Sequence, residues 1–395
     1  MIVIDVGAWQ VRGARIRKAK AGTTTVCDER SYEVGSVLDG PLVRTEALAE
    51  AVELLVEEIA ETETGVGPDV LVGISPSPVA VFRARARVAL AGGKVTDRDV
   101  ERAEQELVRQ CAPGEDAELI HALETELVLD GARWGRNQIV KRSGSELRAS
   151  RLVVHAPQWK VDAIRRGCEA ARAKRVRVVA NPVVAGYGLL TEQERTYGAV
   201  IIDLGATETM VTVWKRGLPM GVGAIPGGGM ALTSAIAAAL DLDLPRADAL
   251  KRSSGVCGAG EVEDYAVRLE GGARISRAQL AAVVDRELEH LLLAVREMVS
   301  RTVGSSAVRV LTGGGAMLQG IDRFTERVHD APARLGFFSS PVSTLGFGQP
   351  SRATLGALIF LGGRESLLRT LVADGADNED GGGRKVRSLL GRIFS

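Results

Sequence analysis

Residues 199–232 read AVIIDLGATETMVTVWKRGLPMGVGAIPGGGMAL, and their pattern decides the fold. An apolar run, Ala199 to Ile202, ends on Asp203, and Gly205 follows two positions later. Alternation through Met210, Val211, Val213 and Trp214 makes a second strand. A turn falls at Lys215-Arg216-Gly217, and a third strand runs into Ile225-Pro226-Gly227-Gly228-Gly229. A buried strand that stops on a carboxylate and turns on glycine suits a phosphate: bare amides reach the anion and the carboxylate can hold a hydrated Mg²⁺. An ordinary β-hairpin with a polar tip has the same outline, but the chain uses the device twice. Residues 1–14, MIVIDVGAWQVRGA, again give an apolar strand, Asp5, Gly7 and a second strand carrying Arg12. Two such hairpins imply duplicated halves facing each other across a nucleotide. Residues 308–320, VRVLTGGGAMLQG, add a strand that enters Gly313-Gly314-Gly315 and a helix start, where backbone can lie flat against a base or phosphate.

These segments resemble the actin/heat-shock-ATPase/hexokinase superfamily: residues 5–7 resemble its first phosphate motif, 203–205 its second and 312–316 its adenosine motif. Within it the chain is most similar to the FtsA family of bacterial division proteins, through LLTEQERTYGAVIIDLG (189–205), ISRAQLAAVVDRELEHLL (275–292) and VLTGGGAMLQGI (310–321). The resemblance implies an α/β, actin-like two-lobe ATPase fold of duplicated ribonuclease-H-like domains, with a small α+β domain inserted in the first lobe. It implies ATP with Mg²⁺ held between Asp5 and Asp203. Gly7, Ala8, Gln10, Arg12, Gly205, Ala206, Thr207, Gly227 and Gly228 would surround the phosphates. Gly313, Gly314, Gly315 and Ala316 would line the adenosine side with Asp248 and Lys251, which lie three apart on one helix face. Two positions depart from the family. Ala8 replaces a Ser or Thr and Ala206-Thr207 a Gly-Gly pair, which removes phosphate contacts or crowds the turn.

Composition narrows the function. Fifty basic and fifty acidic side chains balance, so no global field favours nucleic acid. Cys27, Cys111, Cys168 and Cys257 are scattered without a C-x-x-C, which fits a reducing cytoplasm and no zinc site. His121, His155, His290 and His329 are equally scattered and read as packing or surface residues. The first strand begins at Ile2, with no leader expected before it, and no apolar run is long enough to span a bilayer.

In chain order, residues 1–75 form the first part of the first lobe, with helical periodicity over 42–62 and a buried strand over 70–75. Residues 76–150 form the insert. Arg83, Arg85 and Arg87 alternate with Ala84, Ala86 and Val88 on a strand with one basic, solvated face, Thr96 caps a helix running to Gln110, and 119–129 reads as one strand. VTDRDVERAEQ (95–105) resembles the FtsA insert, which makes filament contacts and meets later division proteins. Residues 151–190 complete the first lobe, with a strand over 149–156, a helix over 160–173 and the NPVVAGYG start of a crossing helix at Asn181. The family often has an acid before this proline to position the attacking water. Asn181 can orient water but is a poor base, so slow hydrolysis at most is expected.

Residues 191–349 form the second lobe. Within it 229–303 match the subdomain that holds the C-terminal peptide of FtsZ, the tubulin-like ring protein. A long helix over 275–302 carries an apolar stripe of Leu280, Val284, Leu288, Leu291, Val295 and Met298. The family commonly has an Arg near the position of Glu287 and a Glu near that of His290, so peptide binding there is expected to be either lost or recoded. Residues 350–371 supply the last helix of the first lobe.

Residues 372–383, VADGADNEDGGG, read as an acidic disordered tether. In 384–395, RKVRSLLGRIFS, Val386, Leu389, Leu390, Ile393 and Phe394 follow a helical stripe, and Arg384, Lys385, Arg387 and Arg392 supply charge without an acid. That is the pattern of an in-plane membrane helix. The expected function is a polymerising, ATP-binding tether that anchors the FtsZ ring at the cytoplasmic face of the inner membrane during division. The alternative is a cytoplasmic scaffold of a type IV pilus machine like PilM, whose second phosphate motif DLGATET (203–209) also resembles.

Overall fold

The computed structural model describes residues 1–18, 24–34, 41–60, 67–77, 81–90, 93–123, 126–260, 263–268, 274–338 and 348–371. The opening apolar run becomes β1 (Ile2–Val6), which turns back into β2 (Gln10–Lys18) and then β3 (Thr24–Glu33). α1 (Pro41–Ile59) buries Leu48, Val52, Leu55, Val56 and Ile59, and β4 (Asp69–Ile74) lies parallel to β1.

The insert follows as β5 (Val81–Ala89), α2 (Asp97–Gln110), β6 (Ala117–Ala122), β7 (Glu126–Leu129), β8 (Ala132–Trp134), α3 (Arg136–Ile139) and β9 (Glu146–Pro157). Ala84, Ala86 and Val88 bury one face of β5. Thr96 and Asp99 form a reciprocal capping box at the start of α2, the sequence signal realised in full. The single strand expected over 119–129 is two. β6 pairs with 153–157 of β9 and β7 with 147–150, so one apolar run feeds two places along a long partner. β9 itself runs unbroken from the insert into the first lobe, and position 150 lies inside it.

α4 (Gln158–Ala170) leads to β10 (Arg175–Ala180) and the crossing helix α5 (Asn181–Leu189). The second lobe takes α6 (Glu192–Tyr197), β11 (Ala199–Leu204), β12 (Glu208–Lys215), β13 (Leu218–Pro226), α7 (Gly229–Leu240), α8 (Leu244–Ser254), β14 (Ala266–Arg268), β15 (Arg274–Ser276), α9 (Arg277–Ser300), β16 (Val308–Thr312), α10 (Ile321–His329) and β17 (Ala333–Leu335). The chain then returns to the first lobe through α11 (Ala353–Gly362) and α12 (Glu365–Leu371). Residues 372–395, with the acidic tether and amphipathic stretch, lie outside the described residues.

Duplication is visible in the sheets. The first-lobe order is β10-β4-β1-β2-β3 and the second β13-β12-β11-β16-β17. In each, an antiparallel three-strand meander is extended by two parallel strands beside its first member. The crossing helices α5 and α11 touch because both are small where they meet: a Cβ on Gly188 would lie 2.4 Å from that of Ala357. Gly186 is tighter still, because the fully buried Trp214 indole of β12 lies directly against it.

α9 begins at Arg277, capped by Ser276, and buries Leu280, Val284, Leu288, Leu291 and Val295. Met298, expected in that stripe, is 42% exposed, and Val299 takes the inward place, because the stripe drifts on a 3.6-residue turn. The buried histidines are structural. His121 Nε2 accepts from Ala180 N at 2.8 Å, which assigns the Nδ1 proton to the Leu371 carbonyl at 2.6 Å. His155 meets Cys111 O, and His329 meets Leu292 O.

Candidate functional site

The two hairpin turns are built alike. Gly7 N donates to Gln10 O at 3.0 Å, and Gly205 N to Glu208 O at 3.1 Å. In register, Asp5 faces Arg12 across the first hairpin as Asp203 faces Met210 across the second. A Cβ at Gly7 or Gly205 would press on those carbonyls at 2.9 and 2.8 Å, so both turns require glycine for close approach. The sheets aim the turns at each other. Asp5, Gly7, Ala8, Gln10 and Arg12 share a cavity of about 560 Å³ with Asp203, Gly205, Ala206, Asp248, Lys251 and Gly313–Gly315.

Asn181, at the start of α5, donates its amide to Asp5 Oδ1 at 2.8 Å, while its own Oδ1 is buried with no hydrogen-bond partner among the described residues. Arg12 bonds Gln10 Oε1 at 2.9 Å and the Ser351 carbonyl, which turns its guanidinium along the cavity wall. Burial raises the Asp5 pKa, against the pull of Arg12 and Asn181. Asp203 is pushed up to about 7, chiefly by burial and then by the charges of Asp5 and Glu208, with a hydrogen bond from Thr354 opposing. Crowded carboxylates of this kind suit a divalent cation. Among the described residues no group of three His, Cys, Asp or Glu is placed to hold a metal. Mg²⁺ needs no such cage, because it keeps several waters and takes one or two carboxylates plus phosphate oxygens. Asp5 and Asp203 are the residues that would hold it.

On the far wall Lys251 Nζ bonds Asp248 Oδ1 at 2.7 Å, Gly229 O at 2.8 Å and Thr233 Oγ1 at 2.6 Å. Burial opposes it, but the bonds from Lys251 and Arg252 hold the Asp248 carboxyl below its ordinary range. The pair is thus an ion pair and part of the cavity wall at once. Gly313 has φ +85°, and a Cβ there would lie 2.3 Å from Asp203 Oδ1, so this glycine lets the third segment lie against the second turn.

Four expected residues sit elsewhere. Gly227 and Gly228 line a separate cavity of about 180 Å³ with Glu287, His290 and Leu291 of α9. Their service to the turn is from behind: a Cβ on Gly228 would meet Gly205 O at 2.3 Å, and Gly229 N bonds Gly205 O at 2.9 Å. Thr207 is outside the lining and holds Gly227 N through its carbonyl at 3.0 Å, and Ala316 is buried beneath the glycine turn. The lining also includes Trp9, Ser75, Glu208 and Thr354, which the motifs passed over. Hairpin symmetry could have supplied Glu208, which occupies in the second turn the place Gln10 holds in the first.

The family model "Cell division protein FtsA" matches residues 200–354. The cell division protein FtsA of Neisseria meningitidis serogroup B is 25% identical over 68% of this chain and 66% of its own length, just under two thirds. That of Pseudomonas aeruginosa is 24% identical over 85% of this chain and 82% of its own. Among solved structures, the PilM–PilN type IV pilus biogenesis complex matches with a TM-score of 0.62 at 17% identity, covering 92% of this chain and 98% of that one. MreB 5 of Spiroplasma citri bound to AMPPNP matches at 0.53 and 12% identity, over 93% and 96%. The MamK double helical filament matches at 0.50 and 12% identity, over 91% and 98%. The chain is a homologue of the cell division protein FtsA, built on the fold of the actin-like ATPases.

Proposed function

We propose that this protein is an ATP-binding, filament-forming member of the bacterial division machinery that tethers the FtsZ ring to the cytoplasmic face of the inner membrane. The observation that carries the proposal is the meeting of Asp5 and Asp203, from opposite lobes, on one cavity. Mg·ATP would supply the charge that draws the two turns together. Arg12 and the turn amides would bind its phosphates, and Asn181 would orient water as a weak, amide-only group. Nucleotide in a fold neighbour and filaments in another support occupancy and self-association. The FtsZ peptide would dock on the α9 face, where Glu287 and His290 flank the 180 Å³ cavity. Among the described residues no helix is long and apolar enough to cross a membrane, so attachment falls to the amphipathic stretch 384–395.

Liposome co-sedimentation with ATP tests the tether: the full chain is expected to pellet with anionic vesicles and a chain ending at Gly383 to stay in solution. Equal pelleting of both would discard it in favour of a scaffold of the PilM kind. Calorimetry with Mg·ATP tests the cleft. Gly313→Ala forces a side chain into left-handed backbone against Asp203 and is expected to weaken nucleotide binding about tenfold or more, with a stability loss of about 1 kcal/mol.

A further inference from the structure

Glu208 and Ser75 meet across the phosphate end of the cleft. Glu208 opens β12 just after the second turn, and its carboxylate accepts a hydrogen bond from the Ser75 hydroxyl, which follows β4 in the first lobe. Both line the interlobe cavity. Ser75 is itself anchored: Lys160 Nζ on α4 donates to Ser75 O at 3.1 Å and Ser77 O at 3.0 Å. That ammonium is desolvated, which lowers its pKa, and the Glu208 charge pulls the other way. An ammonium therefore fixes the Ser75 backbone, and the Ser75 hydroxyl fixes a carboxylate of the opposite lobe.

We propose that Ser75 and Glu208 are a positioning pair that sets the spacing of the two phosphate turns and pre-assembles the nucleotide site. Of the other polar ties near this site, one joins Thr354 of α11 to the Asp203 carboxyl, and on the adenosine side a tie holds Gly313 N and Thr312 Oγ1 to Pro350 O, at 3.1 and 3.0 Å. The Ser75–Glu208 bond is its counterpart at the phosphate end. A ligand that finds its two half-sites already spaced loses less free energy in ordering them. Because the acceptor is charged and the bond is partly buried, its loss is felt more than that of a surface contact. The proposal rests on the nucleotide assignment of the cleft.

The test uses the full chain and Mg·AMPPNP in a calorimeter, with amide exchange of the nucleotide-free protein over 204–210 as a second readout. Ser75→Ala, a mild change unlike a core truncation, is expected to weaken AMPPNP binding about tenfold and to speed exchange in the turn. In a Glu208→Ala background the same change is expected to have no effect on either readout, whatever Glu208→Ala does alone by removing a negative charge. Unchanged affinity in Ser75→Ala, or an equal loss in both backgrounds, overturns the pair. If the parent binds no AMPPNP, the nucleotide assignment falls. The exchange comparison then still judges the pair, and equal rates in parent and Ser75→Ala reject it.

Discussion

Free of nucleotide and divalent metal, Asp203→Asn protein is expected to be more stable than the parent at pH 8 by on the order of 3 kcal/mol, or roughly 5 °C. The Asp203 carboxyl is held near pKa 7 in the folded chain, against an ordinary value of 3.8, by burial and by the charges of Asp5 and Glu208. Between those values the folded protein holds a proton that the unfolded chain has lost. Its contribution is complete below about pH 4 and is lost as pH rises through 7. The asparagine does not titrate, so its advantage shrinks on acidification and disappears near pH 4. Thermal melts of both proteins in chelator at pH 4.5, 6 and 8 measure this, and parallel curves would refute it. Adding Mg·ATP should reverse the ranking: the parent gains stability by ligand linkage, and the variant, lacking one of two metal-side carboxylates, gains little. A site that destabilises the empty protein is the expected cost of holding two acids together for a cation.

The second large effect lies at the joint between lobes. Trp214 belongs to β12 of the second lobe, yet its ring is buried in the first lobe's core, edge-on to Tyr187 with centroids 5.0 Å apart. A Cβ on Gly186 would fall 2.0 Å from that ring. Gly186→Ala is therefore expected to destabilise by about 3 kcal/mol through overpacking. The indole N–H has no hydrogen-bond partner among the described residues, so Trp214→Phe removes bulk and an unpaired donor together. Placed in the Gly186→Ala background it should restore part of the loss. Denaturant titration of the four proteins reads the coupling, and strict additivity would show that the two residues do not share the contact.

Much of this architecture was legible because its signals are local. An apolar strand ending on Asp-x-Gly can turn in few ways, and Thr96 with Asp99 announces a helix start whatever surrounds it. The site residues that escaped are those whose role is set across space. Hairpin symmetry with Gln10 places Glu208 in its turn, but only the fold brings its partner Ser75, 133 positions away, against it. Gly227 and Gly228 carry a phosphate-like pattern, yet the missing side chain of Gly228 serves the packing of α7 behind Gly205, and Gly227 supplies a left-handed turn at φ +112°. The split between β6 and β7 was invisible because both pair with β9, and residues 117–129 hold no proline or glycine to mark the break.

The strand orders also bear on how the molecule is made. The second-lobe sheet comes from one continuous stretch, Ala199 to Leu335, whereas the first-lobe sheet needs β1, β4 and β10, and its core is closed by α11. During synthesis, which proceeds from the amino terminus, the half begun first is therefore finished last. Its sheet waits with an open apolar face until Ala353–Gly362 leaves the ribosome, so translation pauses before that point prolong the aggregation-prone interval.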